Sequence, residues 1–108
     1  MDSQEWEVAP CESLPSTHPL YILYTSGTTG QPKGIVRDQG GTCVGLNFCM
    51  ENVFDLNEGG VHFAGSDIGW VVGHSFIVYG PLIRCSRAIF FEGKPIVPDA
   101  GVMWRVCE

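Results

Sequence analysis

The segment Thr25-Ser26-Gly27-Thr28-Thr29-Gly30-Gln31-Pro32-Lys33-Gly34 gathers four hydroxyls, three glycines and one lysine into ten consecutive residues. Glycines let backbone approach an anion closely, and successive N–H groups can form a concave anion site. The hydroxyls of Thr25, Ser26, Thr28 and Thr29 add donors, and Lys33 adds a point charge. Such a set suits a polyphosphate, whose oxygens accept charge-assisted hydrogen bonds. Neither common phosphate-loop pattern is met. Pro32 stands where the second glycine of G-x-x-x-x-G-K-[ST] belongs, and Thr29 where the second glycine of G-x-G-x-x-G belongs. From composition alone, an ordinary polar turn between two strands is the alternative.

The elements that must position this loop follow from periodicity. Leu20-Tyr21-Ile22-Leu23-Tyr24 is a short run of β-formers ending at the loop, and predicts a strand buried on both faces. Ile35-Val36-Arg37 predicts a short strand after it. A helix is expected from Gly40 and Gly41 to about Phe54, with Leu46, Met50, Val53 and Phe54 at i, i+4, i+7 and i+8 on one face. Asn57 to Gly60 forms a turn, Val61 to Ala64 a strand, and Gly65-Ser66-Asp67 a loop in which Asp67 reads as a cap. A helix over Gly73 to Ile83, a strand over Ala88 to Phe91, a loop from Pro95 to Gly101 and a helix from Val102 complete the chain. Strands alternating with helices predict an α/β fold whose sheet is parallel at least in part.

Composition narrows the function classes. The chain has 108 residues, 44% of them hydrophobic, a net charge of −6 and only six Lys plus Arg. It therefore lacks the basic footprint of a nucleic-acid binder or of a face for anionic membrane. No apolar run reaches the ~18 residues that span a bilayer. Cys11, Cys43, Cys49, Cys85 and Cys107 are odd in number and without C-x-x-C spacing, and Met1 to Glu5 resembles neither a secretory leader nor an Arg-rich transit peptide. These features point to a reducing, intracellular compartment, with each cysteine acting as a small buried or half-buried hydrophobe. His18, His62 and His74 are too dispersed for a protein-ligated metal cluster. Gly73-His74-Ser75-Phe76-Ile77 lacks the last glycine of a nucleophile elbow, which argues against a hydrolase and leaves His74 a structural or pocket-lining role. Lys94 reads as exposed turn chemistry.

Tyr24 through Gly34 resembles the signature loop of the adenylate-forming, AMP-binding superfamily. Around it lie Arg37-Asp38-Gln39-Gly40-Gly41, the stretch from Ser66 to Ser75, Tyr79-Gly80-Pro81-Leu82, Glu92-Gly93-Lys94-Pro95 and Pro98-Asp99-Ala100-Gly101. This series is similar to acetyl- and propionyl-CoA synthetases, most closely the short-chain, propionate-preferring branch, over roughly Pro19 to Val106. The resemblance implies a partial parallel-sheet subdomain from the large N-terminal domain of an adenylate-forming enzyme, with residues 20–108 part of the adenylation domain; residues 1–19 read as a loose lead-in from Pro10, Pro15 and Pro19, with Trp6 their only large apolar anchor. It implies that a carboxylic acid and ATP give an acyl-adenylate and pyrophosphate, and that coenzyme A then gives acyl-CoA and AMP. Thr25, Ser26, Gly27, Thr28, Thr29, Gly30 and Lys33 would hold the β- and γ-phosphates, with Mg²⁺ sharing that task. Trp70, Val71 and Val72 would border the acyl pocket, Trp70 flanking the carboxylate. Val72 stands where acetate-using relatives typically have Thr, which tilts the pocket toward propionate, since an added methylene is worth about 1–3 kcal/mol.

Family members are several times longer and carry adenine-, ribose- and magnesium-binding motifs downstream, a hinge and a C-terminal catalytic lysine. The resemblance therefore implies a fragment with no complete catalytic set, inactive alone, and located in the mitochondrial matrix or cytosol with its relatives. Arg84-Cys85-Ser86-Arg87 replaces a turn that is typically small and neutral. A second reading makes the chain a non-catalytic nucleotide-binding or interaction fragment that associates with a full-length synthetase through the sheet edge at Val61 to Ala64.

Overall fold

The computed structural model describes residues 8–27 and 30–108. Trp6, Thr28 and Thr29 lie outside the described residues. Strand β1 (Pro19–Thr25) runs into the glycine-rich loop, and β2 (Lys33–Asp38) returns from it. The two pair antiparallel, with Tyr24 opposite Gly34 and Thr25 opposite Lys33. Helix α1 (Gln39–Asn52) follows without a break, its entry fixed by the Gln39 N–H donating to His18 O and the Gly40 N–H donating to Ser16 O. Strand β3 (Val61–Phe63) pairs in parallel with β4 (Arg87–Ile89). Between them a helical run comprises α2 (Val71–Gly73), a π segment (His74–Tyr79) and α3 (Gly80–Ile83). Helix α4 (Val102–Cys107) is the last element.

The α/β class is as expected, but the described strands form two separate two-stranded sheets and not one partly parallel sheet: β1–β2 is antiparallel, and β3–β4 is parallel, joined by the helical crossover that parallel strands require. The expectation that β1 is buried on both faces is corrected. Among the described residues β1 pairs only with β2, so Tyr21 and Leu23 are half-buried while Ile22 and Tyr24 are 56% and 69% exposed.

The core lies where α1 crosses the helical run. Met50 is fully buried, with Leu46, Leu56, Ile77 and Val102 almost so. Gly80 makes the crossing close: a Cβ there would sit 2.8 Å from Met50 Sδ and 2.8 Å from Ser75 O. The predicted stripe of α1 holds for Leu46 and Met50 only. The helix ends at Asn52, which turns Val53 out to 65% exposure. Phe54 is also exposed but meets His62 and Phe76 edge-on, with ring centroids 5.4 and 5.0 Å apart. Strand β4 stops at Ile89, so Phe90 and Phe91 leave the ladder.

Arg84 ties the end of the run to α1. Its Nε donates to Leu56 O at 3.3 Å, and its Nη1 donates to Asn47 Oδ1 at 3.2 Å and to Glu51 Oε2 at 3.4 Å. The charged turn thus has a structural partner on the neighbouring helix. The cysteines depart from expectation: Cys11, Cys43, Cys85 and Cys107 are exposed and only Cys49 is half-buried, and all five are free. Among the described residues, no helix is long and apolar enough to cross a membrane.

Candidate functional site

The glycine-rich loop is the connection of a β-hairpin. Pairing of Thr25 with Lys33 draws both ends of the loop together, so the hydroxyl of one and the ammonium stem of the other start from the same rung. Gly27 (φ +64°) and Gly30 (φ +80°) occupy the left-handed region, which costs other residues roughly 1–2 kcal/mol. A Cβ on Gly27 would also collide with Gln31 O, so the loop closes on itself at that point. Ser26 and Lys33 are exposed and Gly27 is half-buried. The described donors here are hydroxyls, backbone N–H groups and one cation. No group of three His, Cys, Asp or Glu side chains converges among the described residues. This donor set fits phosphate oxygens, and the loop contributes no carboxylate.

Trp70, Val71 and Val72 stand at the start of the helical run, 70%, 37% and 44% exposed. Their approach is set by Asp67, whose Oδ1 accepts the Gly69 N–H at 2.7 Å, and by the Trp70 N–H donating to Asp67 O at 3.2 Å. Asp67 thus closes an Asx turn in the loop and does not cap the helix, whose N-cap is Trp70 with no side-chain cap hydrogen bond. His74 Nδ1 lies 2.9 Å from Trp70 O. A carbonyl only accepts, so His74 carries its proton on Nδ1 and closes the first turn behind Trp70. Ser75 lies inside the π segment and not on a strand-to-helix turn, so the elbow geometry of a hydrolase is not present at that residue.

A separate groove of about 630 Å³ opens beyond the carboxyl ends of β3 and β4. Ser66, Ile68, Phe90, Phe91, Lys94 and Met103 are among its lining residues, and Trp70, Val71 and Val72 are not. Sequence reasoning missed this feature. It placed Phe90 and Phe91 inside a strand, and only their position after the last β-branched residue, Ile89, hinted otherwise.

A single ring joins the two predicted site segments. Tyr21, four residues before Thr25, stacks on Tyr79 with centroids 5.6 Å apart and planes 9° from parallel, and lies 5.4 Å from the His74 ring at 40°. The strand that feeds the loop is thereby packed on the helical run that Trp70 to Val72 begin.

An α/β segment with a hydroxyl- and glycine-rich hairpin loop, followed by a Trp-Val-Val helix start, matches the pattern of the adenylate-forming family in both sequence and fold. The chain belongs to the AMP-binding enzyme family, whose profile matches residues 1–108. It is 60% identical over 93 residues to acyl-CoA synthetase short-chain family member B, mitochondrial, of Dictyostelium discoideum, covering 86% of this chain and 14% of that protein. It is 52% identical over 99 residues to a propionate–CoA ligase of Salmonella typhimurium, covering 92% of this chain and 16% of that one. The solved acetoacetyl-CoA synthetase from Streptomyces lividans matches the fold with a TM-score of 0.84 at 35% identity, over 96% of this chain and 16% of that one. The resemblance read from the residues between Pro19 and Val106 therefore holds at the level of family and fold. The chain spans about one-seventh of the length of the curated relatives it matches.

Proposed function

We propose that this chain is the phosphate-binding segment of a short-chain acyl-CoA synthetase, with residues 1–19 as lead-in and residues 20–108 as part of the adenylation domain. The observation that carries the reading is the hairpin closure that sets Thr25 and Lys33 side by side around a loop of left-handed glycines. Thr25, Ser26, Gly27, Thr28, Thr29, Gly30 and Lys33 hold the β- and γ-phosphates of ATP. Their donors stabilise charge that grows on pyrophosphate as it departs. Mg²⁺ arrives with the nucleotide and shares the neutralisation of the phosphate charge.

Trp70, Val71 and Val72 form one wall of the acyl site, which accepts a short-chain carboxylate, with propionate favoured over acetate through Val72. The names of the Dictyostelium and Salmonella relatives support the short-chain class, and the latter supports propionate. The first of these names also supports a mitochondrial location, with the matrix proposed as the compartment and the cytosol as the alternative. Coenzyme A is the acceptor in the complete reaction. For these 108 residues by themselves the proposal is binding without turnover.

Calorimetric titration of the chain with Mg·ATP, Mg·pyrophosphate and AMP tests this reading. ATP and pyrophosphate bind alike, AMP binds at least tenfold more weakly, and Lys33→Ala weakens ATP by roughly tenfold or more, the loss of one charge-assisted contact of about 1.5–3 kcal/mol. Equal affinity for AMP and ATP, or an unaffected Lys33→Ala chain, contradicts it.

A further inference from the structure

The π segment explains how one tyrosine meets two rings. In an α-helix a residue five positions on is turned roughly 140° away, so His74 and Tyr79 would face different directions. A π turn closes from i to i+5 and returns the fifth residue over the first. The Gly80 N–H donates to Ser75 O across that five-residue span. His74 and Tyr79 thus open and close the π segment on one side, and Tyr21 packs against both. At the front of the same run, the His74 Nδ1–H holds Trp70 O. One chain of contacts runs from β1 through Tyr21 to His74 and on to the Trp70 backbone.

Resting on the phosphate-loop and acyl-wall reading above, we propose that Tyr21 is a positioning residue. Held against His74 and Tyr79, it fixes the strand that enters the phosphate loop relative to the start of the helical run at Trp70 to Val72. The chemistry gives this link a purpose. Adenylate formation makes a bond from a carboxylate oxygen to the α-phosphorus and breaks the bond from that phosphorus to the pyrophosphate oxygen, which leaves with the electron pair. The carboxylate sits on one segment and the leaving group on the other, and misplacement by about 1 Å can cost a hundredfold in rate. Tyr21 acts through its ring face and needs no hydroxyl.

The test is an amide ¹H–¹⁵N titration of the 108-residue chain with Mg·ATP. In the parental chain, amides of Thr25, Ser26, Gly27 and Lys33 shift, and those of Val71 and Val72 shift along the same saturation curve. In Tyr21→Leu the loop shifts persist while those of Val71 and Val72 are lost, and Tyr21→Phe restores them. Loop shifts without shifts at Val71 and Val72 in the parental chain overturn the positioning role alone. Full-size shifts at Val71 and Val72 in Tyr21→Leu do the same. No loop shifts in the parental chain overturn the phosphate reading, and this inference with it. If Tyr21→Leu loses spectral dispersion, Tyr79→Leu, which leaves β1 and the His74 hydrogen bond in place, decides by the same criteria.

Discussion

The rings of Tyr21 and Tyr79 lie 9° from parallel with centroids 5.6 Å apart, although one belongs to the first strand and the other ends the π segment. Aromatic pairs of this geometry contribute about 0.5–1.5 kcal/mol beyond the area they bury. A double-mutant cycle with Tyr21→Leu and Tyr79→Leu, read by urea unfolding, should return a coupling of about that size. Strict additivity would mean that the stack contributes nothing to holding hairpin and helix together.

Gly27→Ala should disable the loop more than it harms the fold. The positive φ costs about 1–2 kcal/mol, and the new methyl meets Gln31 O, so the loop must open to admit it. The expected outcome is a modest fall in the thermal midpoint with loss of Mg·ATP binding, measured side by side by calorimetry and thermal melts.

Met50→Ala removes one of the two large side chains, with Pro81, that are fully buried among the described residues. The expected loss is about 2–5 kcal/mol. Val44, on the same helix but 71% exposed, should tolerate alanine within roughly 0.5 kcal/mol. Urea midpoints of the two variants check the contrast.

His62 supplies a pH dependence. Its Nε2 is buried with no hydrogen-bond partner among the described residues, and burial lowers the pKa of the ring from the ordinary 6.5. The folded state therefore favours the neutral ring. Its contribution is complete above about pH 6.5 and is lost as pH falls below that value toward the lower folded pKa, because the unfolded chain takes up the proton first. Asp99 acts in a separate, more acidic window. The Arg105 guanidinium and the Gly101 N–H hold its carboxyl below 3.8, so its contribution is present above that value and lost below it. His62→Leu should raise the melting temperature at pH 5 more than at pH 7.5. An equal change at both would contradict the assignment.

What was legible in the sequence follows from how local each feature is. The loop and its flanking strands were visible because Gly27, Gly30, Pro32 and Lys33 interrupt two β-rich runs, and turn chemistry is local. Helix α1 and its buried Leu46 and Met50 were visible because those two residues repeat at helical spacing. The burial of β1 was misjudged because an apolar run does not reveal how many strands lie beside it. Exposure of the cysteines was misjudged because a residue's habit says little about one position. The π segment was hidden because a 3.6-residue pattern cannot register an inserted residue, and that insertion is what turns His74 and Tyr79 toward Tyr21. Arg84 looked out of place until its partners, Asn47, Glu51 and Leu56 O, were seen to come from residues far away in the chain.

Whether the Thr25 to Lys33 loop grips the β- and γ-phosphates of ATP is tested most directly by the ³¹P spectrum of Mg·ATP with increasing amounts of the chain. The expected result is broadening and shift of the β and γ resonances ahead of the α resonance, abolished in the Gly27→Ala chain. Broadening led by the α resonance, or three unchanged resonances at saturating chain, would contradict it.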